Sequence, residues 1–232
     1  MKRSTFATLM AAFCLVPAAP AHAATIWDGD ASKGTGVFGA VLCSDPASLT
    51  HQDDDGRGEV WKVNKPLGLE RCEAHDIRVG GTEYAWREGA AYYLGWDTMT
   101  NTDDAGTIFH WKSNGTNDQH QQNYPVLIEV EGGVLKVFHI KVGERWTLAW
   151  STPVERDTWK RVALGIHTSS DPSRGWVEVY YNGRQVHSFT GRTWDDLGNK
   201  PRWGSYGAEV VDNRVINWMD GMKVGTSYAD VS

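Results

Sequence analysis

Two histidines, two arginines, a lysine and a tyrosine recur in three short segments in which polar and apolar residues alternate. The segments are Arg71-Cys-Glu-Ala-His75, Phe109-His-Trp-Lys112 and Arg202-Trp-Gly-Ser-Tyr206. Successive side chains of a β-strand point to opposite faces, so each segment would place its polar residues together on one face. Guanidinium and ammonium groups bind carboxylates, and imidazole and phenol groups transfer protons. Together the segments predict a cationic strip that binds an acidic substrate and moves protons.

Taken alone, each segment is more typical of the solvated side of an ordinary sheet. Their recurrence is what indicates a site, because the opposite faces of the same strands are largely apolar. In the third segment the small residue Gly204 lies between Arg202 and Tyr206 on the polar face. We expect this glycine to leave room for another group to approach.

The chain start predicts export. Residues 1–23 combine a basic beginning at Lys2 and Arg3, an apolar run and the motif Ala21-His22-Ala23, which is typical of a cleaved signal peptide. The apolar run is too short to cross a bilayer, so no membrane partner is expected. Removing the leader and its two cations would change the formal charge from −6 to −8. This acidity disfavours nucleic acid as a partner, and an acidic substrate would need a local basic groove.

The cysteine count agrees with export. Cys14 lies in the leader, which leaves Cys43 and Cys72 as a pair. In an oxidising compartment such a pair is expected to form a disulfide.

The rest of the chain, residues 24–232, has no linker, repeat or low-complexity stretch and predicts a single, monomeric, all-β domain. Short runs of alternating polarity between turn signals predict antiparallel strands packed as a two-sheet sandwich. Asn182-Gly183 and Gly132-Gly133 mark two hairpin turns. The predicted strands are Gly36–Leu42, Glu59–Val63, Glu70–Arg78, Ala90–Asp97, Thr107–Lys112, Pro125–Glu131, Val134–Ile140, Arg145–Trp150, Trp159–Thr168, Trp176–Tyr181, Arg184–Thr190, Arg202–Val211 and Val215–Gly225.

The three polar segments occur in the same order as motifs of a known enzyme group. The first resembles the R-[ST]-E-x-R strand of jelly-roll alginate lyases, and the third resembles their K-x-G-x-Y strand. The second falls where those enzymes and heparin lyase I carry Q-x-H. The stretches most similar to the glucuronan lyases, polysaccharide lyase family 20, are Arg71-Cys-Glu-Ala-His75, Phe109-His-Trp-Lys112, Gln122-Asn-Tyr-Pro-Val-Leu-Ile128 and Pro201-Arg-Trp-Gly-Ser-Tyr206.

This resemblance implies a concanavalin-like β-jelly roll with a concave groove, and a secreted lyase that cleaves β-1,4-glucuronan by β-elimination. Such an enzyme neutralises a uronate carboxylate, removes the C5 proton and protonates the departing O4. We expect Tyr206 to take the C5 proton and return it to O4. Because the histidine of Q-x-H is replaced here by Lys112, we expect His75 or His110 to stand in for it, contacting the carboxylate or assisting proton transfer. The expected substrate-binding residues are Arg71, Glu73, Lys112, Gln122 and Arg202.

No cofactor is expected for catalysis. Jelly-roll carbohydrate proteins often hold a structural Ca²⁺ between the N-terminal segment and a late strand, and Asp28 and Asp220 are the candidate ligands here.

Two other functions remain open at this point. The hairpin around Asn182-Gly183 is common in laminin-G-like and lectin sandwiches, so a non-catalytic carbohydrate-binding module is the alternative. Its binding would depend on exposed aromatic residues. The candidates are Trp96, Trp111, Trp146 and Trp203. Of these, the alternation of polar and apolar residues places Trp111 and Trp203 in the core. A glycoside hydrolase needs two carboxylates that flank the scissile bond, and the sequence has no E-x-D-x-x-E motif to supply them.

Overall fold

The computed structural model describes residues 24–114, 123–207 and 210–232, which form strands and three short 3-10 helices. The helices are Ala31–Lys33, Thr35–Val37 and Tyr228–Asp230. In chain order the strands are β1 (Thr25–Asp28), β2 (Ala40–Cys43), β3 (Ser48–Asp54), β4 (Gly58–Lys65), β5 (Arg71–His75), β6 (Arg78–Val79), β7 (Thr82–Glu83), β8 (Ala91–Thr100), β9 (Gly106–Lys112), β10 (Val126–Glu131), β11 (Val134–Lys141), β12 (Arg145–Pro153), β13 (Lys160–His167), β14 (Trp176–Tyr181), β15 (Arg184–Thr190), β16 (Lys200–Tyr206) and β17 (Val215–Gly225).

Two antiparallel sheets form a sandwich. The first has the order β15-β14-β13-β8-β17-β4-β3, with β1 also paired to β17. The second, which we call the site sheet, has the order β12-β11-β10-β9-β16-β5-β2. Strands β6 and β7 form a separate two-stranded ribbon. This arrangement confirms the predicted two-sheet antiparallel fold.

Tryptophan and aliphatic side chains fill the space between the sheets. Trp96 stacks on Phe109 with 5.0 Å between ring centroids, and Trp203 stacks on Trp27 at 5.9 Å. The indole N–H of Trp111 donates to the carbonyl of Thr193 at 2.8 Å, which satisfies a buried donor. As alternation predicted, Trp111 and Trp203 are core residues.

Both predicted hairpin turns are confirmed. Asn182 and Gly183 have φ angles of 47° and 82°, and Gly132 and Gly133 have φ angles of 60° and 71°. Two successive residues with positive φ match the type I′ turn, whose twist suits a two-residue hairpin.

Several strand boundaries differ from the prediction. Only Ala40 onward of the predicted Gly36–Leu42 run is a strand, and the predicted Arg202–Val211 strand ends at Tyr206. The predicted Glu70–Arg78 strand is interrupted at Asp76, whose φ is 60°. β3 was missed altogether, because an edge strand contacts one neighbour and buries few of its residues, so its polarity pattern is weak.

The predicted disulfide is present. Cys43 on the edge strand β2 lies opposite Cys72 on β5, and their sulfur atoms are bonded. The bond ties the edge of the site sheet to the strand that carries the first polar segment. Among the described residues, no helix is long and apolar enough to span a membrane. The predicted signal peptide, residues 1–23, lies outside the described part of the chain.

Candidate active site

The three polar segments are adjacent strands in the centre of the site sheet. β16 pairs with β5 on one side and with β9 on the other. Arg202 lies opposite His75 on β5 and opposite His110 on β9, and Tyr206 lies opposite Arg71. The alternation inferred from sequence therefore places all these side chains on the outer face, while Cys72, Ala74, Phe109 and Trp203 join the core on the inner face.

Tyr206 stands beside an imidazole and beneath a guanidinium. The ring centroids of Tyr206 and His110 are 5.2 Å apart in an edge-on arrangement, and the Arg71 guanidinium carbon lies 4.6 Å from the Tyr206 ring centroid. Burial and a hydrogen bond to Glu70 raise the pKa of Tyr206, and the charge of Arg71 opposes this shift. The phenol is thus protonated at neutral pH and suits a proton donor.

His110 is deeply buried and faces Glu73. Its Nδ1 lies 3.5 Å from a carboxylate oxygen of Glu73, within ion-pair range but without hydrogen-bond geometry, and its Nε2 has no hydrogen-bond partner among the described residues. Burial and the nearby charges of Lys112, Arg202 and Arg71 hold the pKa of His110 well below its ordinary value. The imidazole is therefore neutral and able to accept a proton.

Arg202 and Lys112 supply positive charge beside His110. Burial lowers the pKa of Lys112 to about 8, assisted by the charge of Arg202. One terminal nitrogen of Arg202 donates to the side-chain oxygen of Asn114 at 2.5 Å, whereas its Nε has no hydrogen-bond partner in the described part of the chain. These two cations can bind a substrate carboxylate next to the imidazole.

Glu73 and His75 lie on the same face of β5 but have different surroundings. Glu73 is 2% exposed, and its carboxylate is directed at His110. His75 is four residues along β5 from Arg71, about 13 Å along the strand. Burial and the charges of Arg202 and Lys200 lower the pKa of His75 to about 4. Both histidines lie opposite Arg202 in the strand register, and it is the His110 ring that packs against Tyr206.

A pocket of about 340 Å³ opens over this cluster. Its lining includes the predicted residues His110, Lys112 and Tyr206 together with residues that the motifs had not singled out as a site, namely Glu70, Thr107, Tyr124, Leu127, Glu129, Trp146 and Gly207. The volume is within the range of small-molecule pockets, which suits one or two sugar units.

Tyr124 is the most informative addition. The Lys112 ammonium nitrogen lies 5.3 Å from the Tyr124 ring centroid, and the ring centroids of Tyr124 and His110 are 6.4 Å apart. Its hydroxyl is hydrogen-bonded to Glu144, which together with burial raises its pKa to about 12. Its position in the stretch after Gln122 was a signal that the residue borders a cleft. Its contacts depend on the β11–β12 turn, which no local pattern predicts.

Gly204 has a packing role that differs from the expected one. Its φ is 155°, and a Cβ there would lie 2.2 Å from the carbonyl oxygen of Cys72. The group that approaches Gly204 is thus the backbone of β5. The register of β16 on β9 also shifts between Trp203 and Tyr206, which marks a bulge. Bulges redirect side chains beside active sites, and this one directs Tyr206 at the pocket.

The predicted metal ligands Asp28 and Asp220 belong to the other sheet, away from this cluster. Gln122 lies outside the described residues. Asp28 forms an ion pair with Lys33 at 3.2 Å, and Asp220 forms one with Arg57 at 2.9 Å. Within the described ranges, no three His, Cys, Asp or Glu residues are grouped to hold a metal ion. Ca²⁺ takes six to eight oxygen ligands, backbone carbonyls included, and structural Ca²⁺ at Asp28 and Asp220 stays a prediction.

Comparison with known proteins decides the family. A family model described as "Polysaccharide lyase" matches residues 45–223, which is more than half of the chain and includes all three polar segments. The chain belongs to the polysaccharide lyase family. It is therefore an enzyme that cleaves a polysaccharide by lyase chemistry, and the alternative of a non-catalytic binding module is set aside. No protein of curated function matches the chain in sequence.

Solved structures confirm the jelly-roll fold. The lyase resembles an endo-β-1,4-glucuronan lyase from the fungus Trichoderma reesei, with a TM-score of 0.71 and 17% identity over 90% of this chain and 98% of that one. An alginate lyase from Corynebacterium sp. gives a TM-score of 0.54 and 14% identity, covering 79% and 82% of the two chains. A carbohydrate esterase from the Shiga toxin-encoding bacteriophage phi24B gives a TM-score of 0.59 and 13% identity, covering 89% of this chain and 100% of that one. A fold that also serves an esterase does not identify the substrate, so the substrate must be argued from the site.

Proposed function

We propose that the lyase is exported and cleaves a uronic-acid polysaccharide, above all β-1,4-glucuronan, by β-elimination. The observation that carries the proposal is the pairing of a protonated phenol, Tyr206, with a neutral imidazole, His110, beside buried cations on one sheet face. The disulfide between Cys43 and Cys72 supports export, because such bonds persist in oxidising compartments.

Carboxylate binding is the first step. Lys112, Arg202 and Arg71 border His110 and lower its pKa. A uronate carboxylate bound among them would neutralise part of their charge, so the pKa of His110 would rise towards the pH of the medium. Substrate binding would in this way make the imidazole a stronger base.

The proton transfers are then divided between the two rings. His110 takes the C5 proton, the C5–H electron pair forms the C4–C5 double bond, and the C4–O4 bond breaks. Tyr206 gives its proton to O4, and proton transfer from His110 to Tyr206 restores both groups. Glu73 lies 3.5 Å from His110 and stabilises the imidazolium that forms. The motifs suggested that Tyr206 performs both transfers; its raised pKa leads us to assign it the donor step.

The shared side of the two rings supports glucuronate as the substrate. In the ordinary chair of D-glucuronate, H5 is axial and O4 is equatorial, so both depart from the same side of the sugar. His110 and Tyr206 project from adjacent strands of one face, so they reach a sugar in the pocket from one side. A guluronate or iduronate residue would need base and acid on opposite sides.

Ultraviolet absorbance of the unsaturated product tests the proposal. We expect the protein to release this product from glucuronan faster than from alginate or heparin. Tyr206→Phe should lower kcat at least 100-fold, because it removes the proton donor, and should change the Kd for glucuronan less than threefold.

Tyr93→Phe is the matched control, since it removes a phenol hydroxyl that is bonded to Glu178 on the other sheet. It should leave the rate unchanged. Full activity of Tyr206→Phe would refute the assigned role. Reducing ends without ultraviolet absorbance would refute elimination, and faster product release from alginate would refute the substrate.

A further inference from the structure

We propose that Trp146 forms a separate sugar-binding subsite, which stacks on a pyranose ring of the polysaccharide beyond the residue that reacts. This inference rests on the proposed function, because the same chain must occupy the Tyr206 pocket. It assigns a binding role to a surface that carries none of the three polar segments.

The indole is held rigidly yet remains open to solvent. Trp146 is 47% exposed, and its ring centroid lies 5.2 Å from that of Phe138 and 6.0 Å from that of Tyr124, both edge-on. Leu148, on the same strand and opposite Phe138, is 52% exposed. Edge contacts of this kind fix the indole plane and leave a face free to stack.

Large apolar side chains gathered on the surface of a charged protein usually mark a binding site. The C–H faces of a pyranose ring are apolar, and its hydroxyl rim stays in water, so an isolated indole beside a carbohydrate pocket suits a sugar better than a second protein. The surface is also continuous with the pocket, because Trp146 and Tyr206 line the same pocket.

Charge distinguishes this subsite from the cationic strip. The cations next to Trp146 are Arg145 in the chain and Lys141 opposite Arg145, and both line a different pocket. The subsite therefore recognises the shape of a sugar ring and does not depend on its carboxylate. A neutral sugar residue should be accepted there as readily as a uronate.

Distance places the subsite outside the reacting unit. The backbones of β9 and β12 are three strand spacings apart, about 14 Å. The Tyr124 ring contacts the side chains of both strands, with ring centroids 6.4 Å from His110 and 6.0 Å from Trp146. The contribution of Trp146 should thus depend on chain length. It should be present for the polymer and long oligosaccharides and absent for the shortest oligosaccharide that is cleaved.

Kinetics of Trp146→Ala test the proposal. We expect KM for the polymer to rise about tenfold with kcat within twofold of wild type, because stacking contributes to binding and not to proton transfer. KM for the shortest cleaved oligosaccharide should not change, and Trp146→Phe should keep part of the affinity. Trp218→Ala is the matched control, since Trp218 is a half-buried indole near Lys62 on the outer face of the other sheet.

A binding measurement separates this proposal from the proposed function. Calorimetric titration of long glucuronan oligosaccharides into Tyr206→Phe, with and without Trp146→Ala, should show about a tenfold difference in Kd. Equal Kd values would overturn the subsite even if the enzyme is a glucuronan lyase. A retained difference would uphold the subsite even if the assigned proton transfers fail.

Discussion

Among the residues that the structure describes, buried side-chain atoms without a hydrogen-bond partner concentrate at one place. Glu73 Oε2, His75 Nε2, His110 Nε2 and Arg202 Nε all lie on the outer face of three adjacent strands. Buried polar groups in folded proteins are nearly always hydrogen-bonded. A cluster of exceptions on one face therefore identifies where a polar ligand would be bound, and its mixed charge suits a carboxylate next to a proton acceptor.

The pKa of Lys112 predicts how substrate binding depends on pH. With a pKa of about 8, the ammonium is charged below this pH and neutral above it. KM for the acidic polymer should therefore rise about tenfold between pH 7 and pH 9, as one charge-assisted contact is lost. Initial rates measured across this range at varied polymer concentration give the dependence.

Lys112→Arg is the discriminating variant, because a guanidinium stays charged throughout this range. Its KM should stay nearly constant between pH 7 and pH 9, whereas Lys62→Arg on the other sheet should retain the wild-type rise. A rise of equal size in Lys112→Arg would show that another group titrates.

At the scale of elements, the conformation of β16 sets the direction of the Tyr206 side chain. The buried amide of Asn217 donates to the carbonyl of Gly204 at 2.8 Å, and the Ser205 hydroxyl donates to the carbonyl of Ala105 at 2.8 Å. These bonds hold both sides of the bulge. The backbone of β5 closes against Gly204, so a side chain at this position would separate the two strands that carry Arg71 and Tyr206.

Gly204→Ala should be strongly destabilising. Its Cβ would contact rigid backbone at 2.2 Å, and alanine disfavours a φ of 155°. We expect the free energy of unfolding to fall by more than about 2 kcal/mol and kcat/KM to fall more than tenfold. Urea denaturation and initial rates measure both quantities.

Gly36→Ala is the control, because a Cβ at Gly36 has no neighbour within 4 Å and its φ is not in the left-handed region. This variant should match the wild type in both measurements. Wild-type stability of Gly204→Ala would show that β5 and β16 can adjust, and the positioning role of the bulge would then fail.

At the scale of the whole molecule, a cationic site operates within an acidic protein. The chain carries 29 acidic and 23 basic residues besides its histidines. The protein as a whole therefore repels an anionic polymer. The cations that bind the polymer must be concentrated in one strip to overcome this repulsion. Its outer strand β5 is tied to the sheet edge by the disulfide between Cys43 and Cys72.

Loss of this disulfide should lower stability throughout the fold. The two cysteines are 29 residues apart, and closing a loop of this length restricts the unfolded chain by about 3–4 kcal/mol. Cys43→Ser should therefore unfold at a lower urea concentration than the wild type. Adding a reductant should shift the wild type to the same midpoint and leave Cys43→Ser unchanged; an unshifted wild type would mean that the bond contributes no stability.

The sequence determined the architecture and most of the cluster. Alternation in the three polar segments correctly assigned an outward face to Arg71, His110 and Tyr206, since a period of two is a local property of an extended backbone. The two hairpin turns and the disulfide were also predicted from the sequence, because turn conformation and disulfide pairing impose strong residue preferences. The edge strand β3 was not, because few of its residues are buried and its polarity pattern is weak, whereas the edge strands β12 and β15 were predicted.

Tertiary structure decided which of these groups meet. The pairing of β16 between β5 and β9 places both histidines opposite Arg202, and the His110 ring then reaches Tyr206. Pairing order is not encoded in any single strand. The bulge at Gly204, the Tyr124–Glu144 contact and the exposed Trp146 depend on residues distant in sequence. Side-chain pKa values follow burial and neighbouring charge, so the lowered pKa of His110 and the raised pKa of Tyr206 arise only once the sheet is assembled.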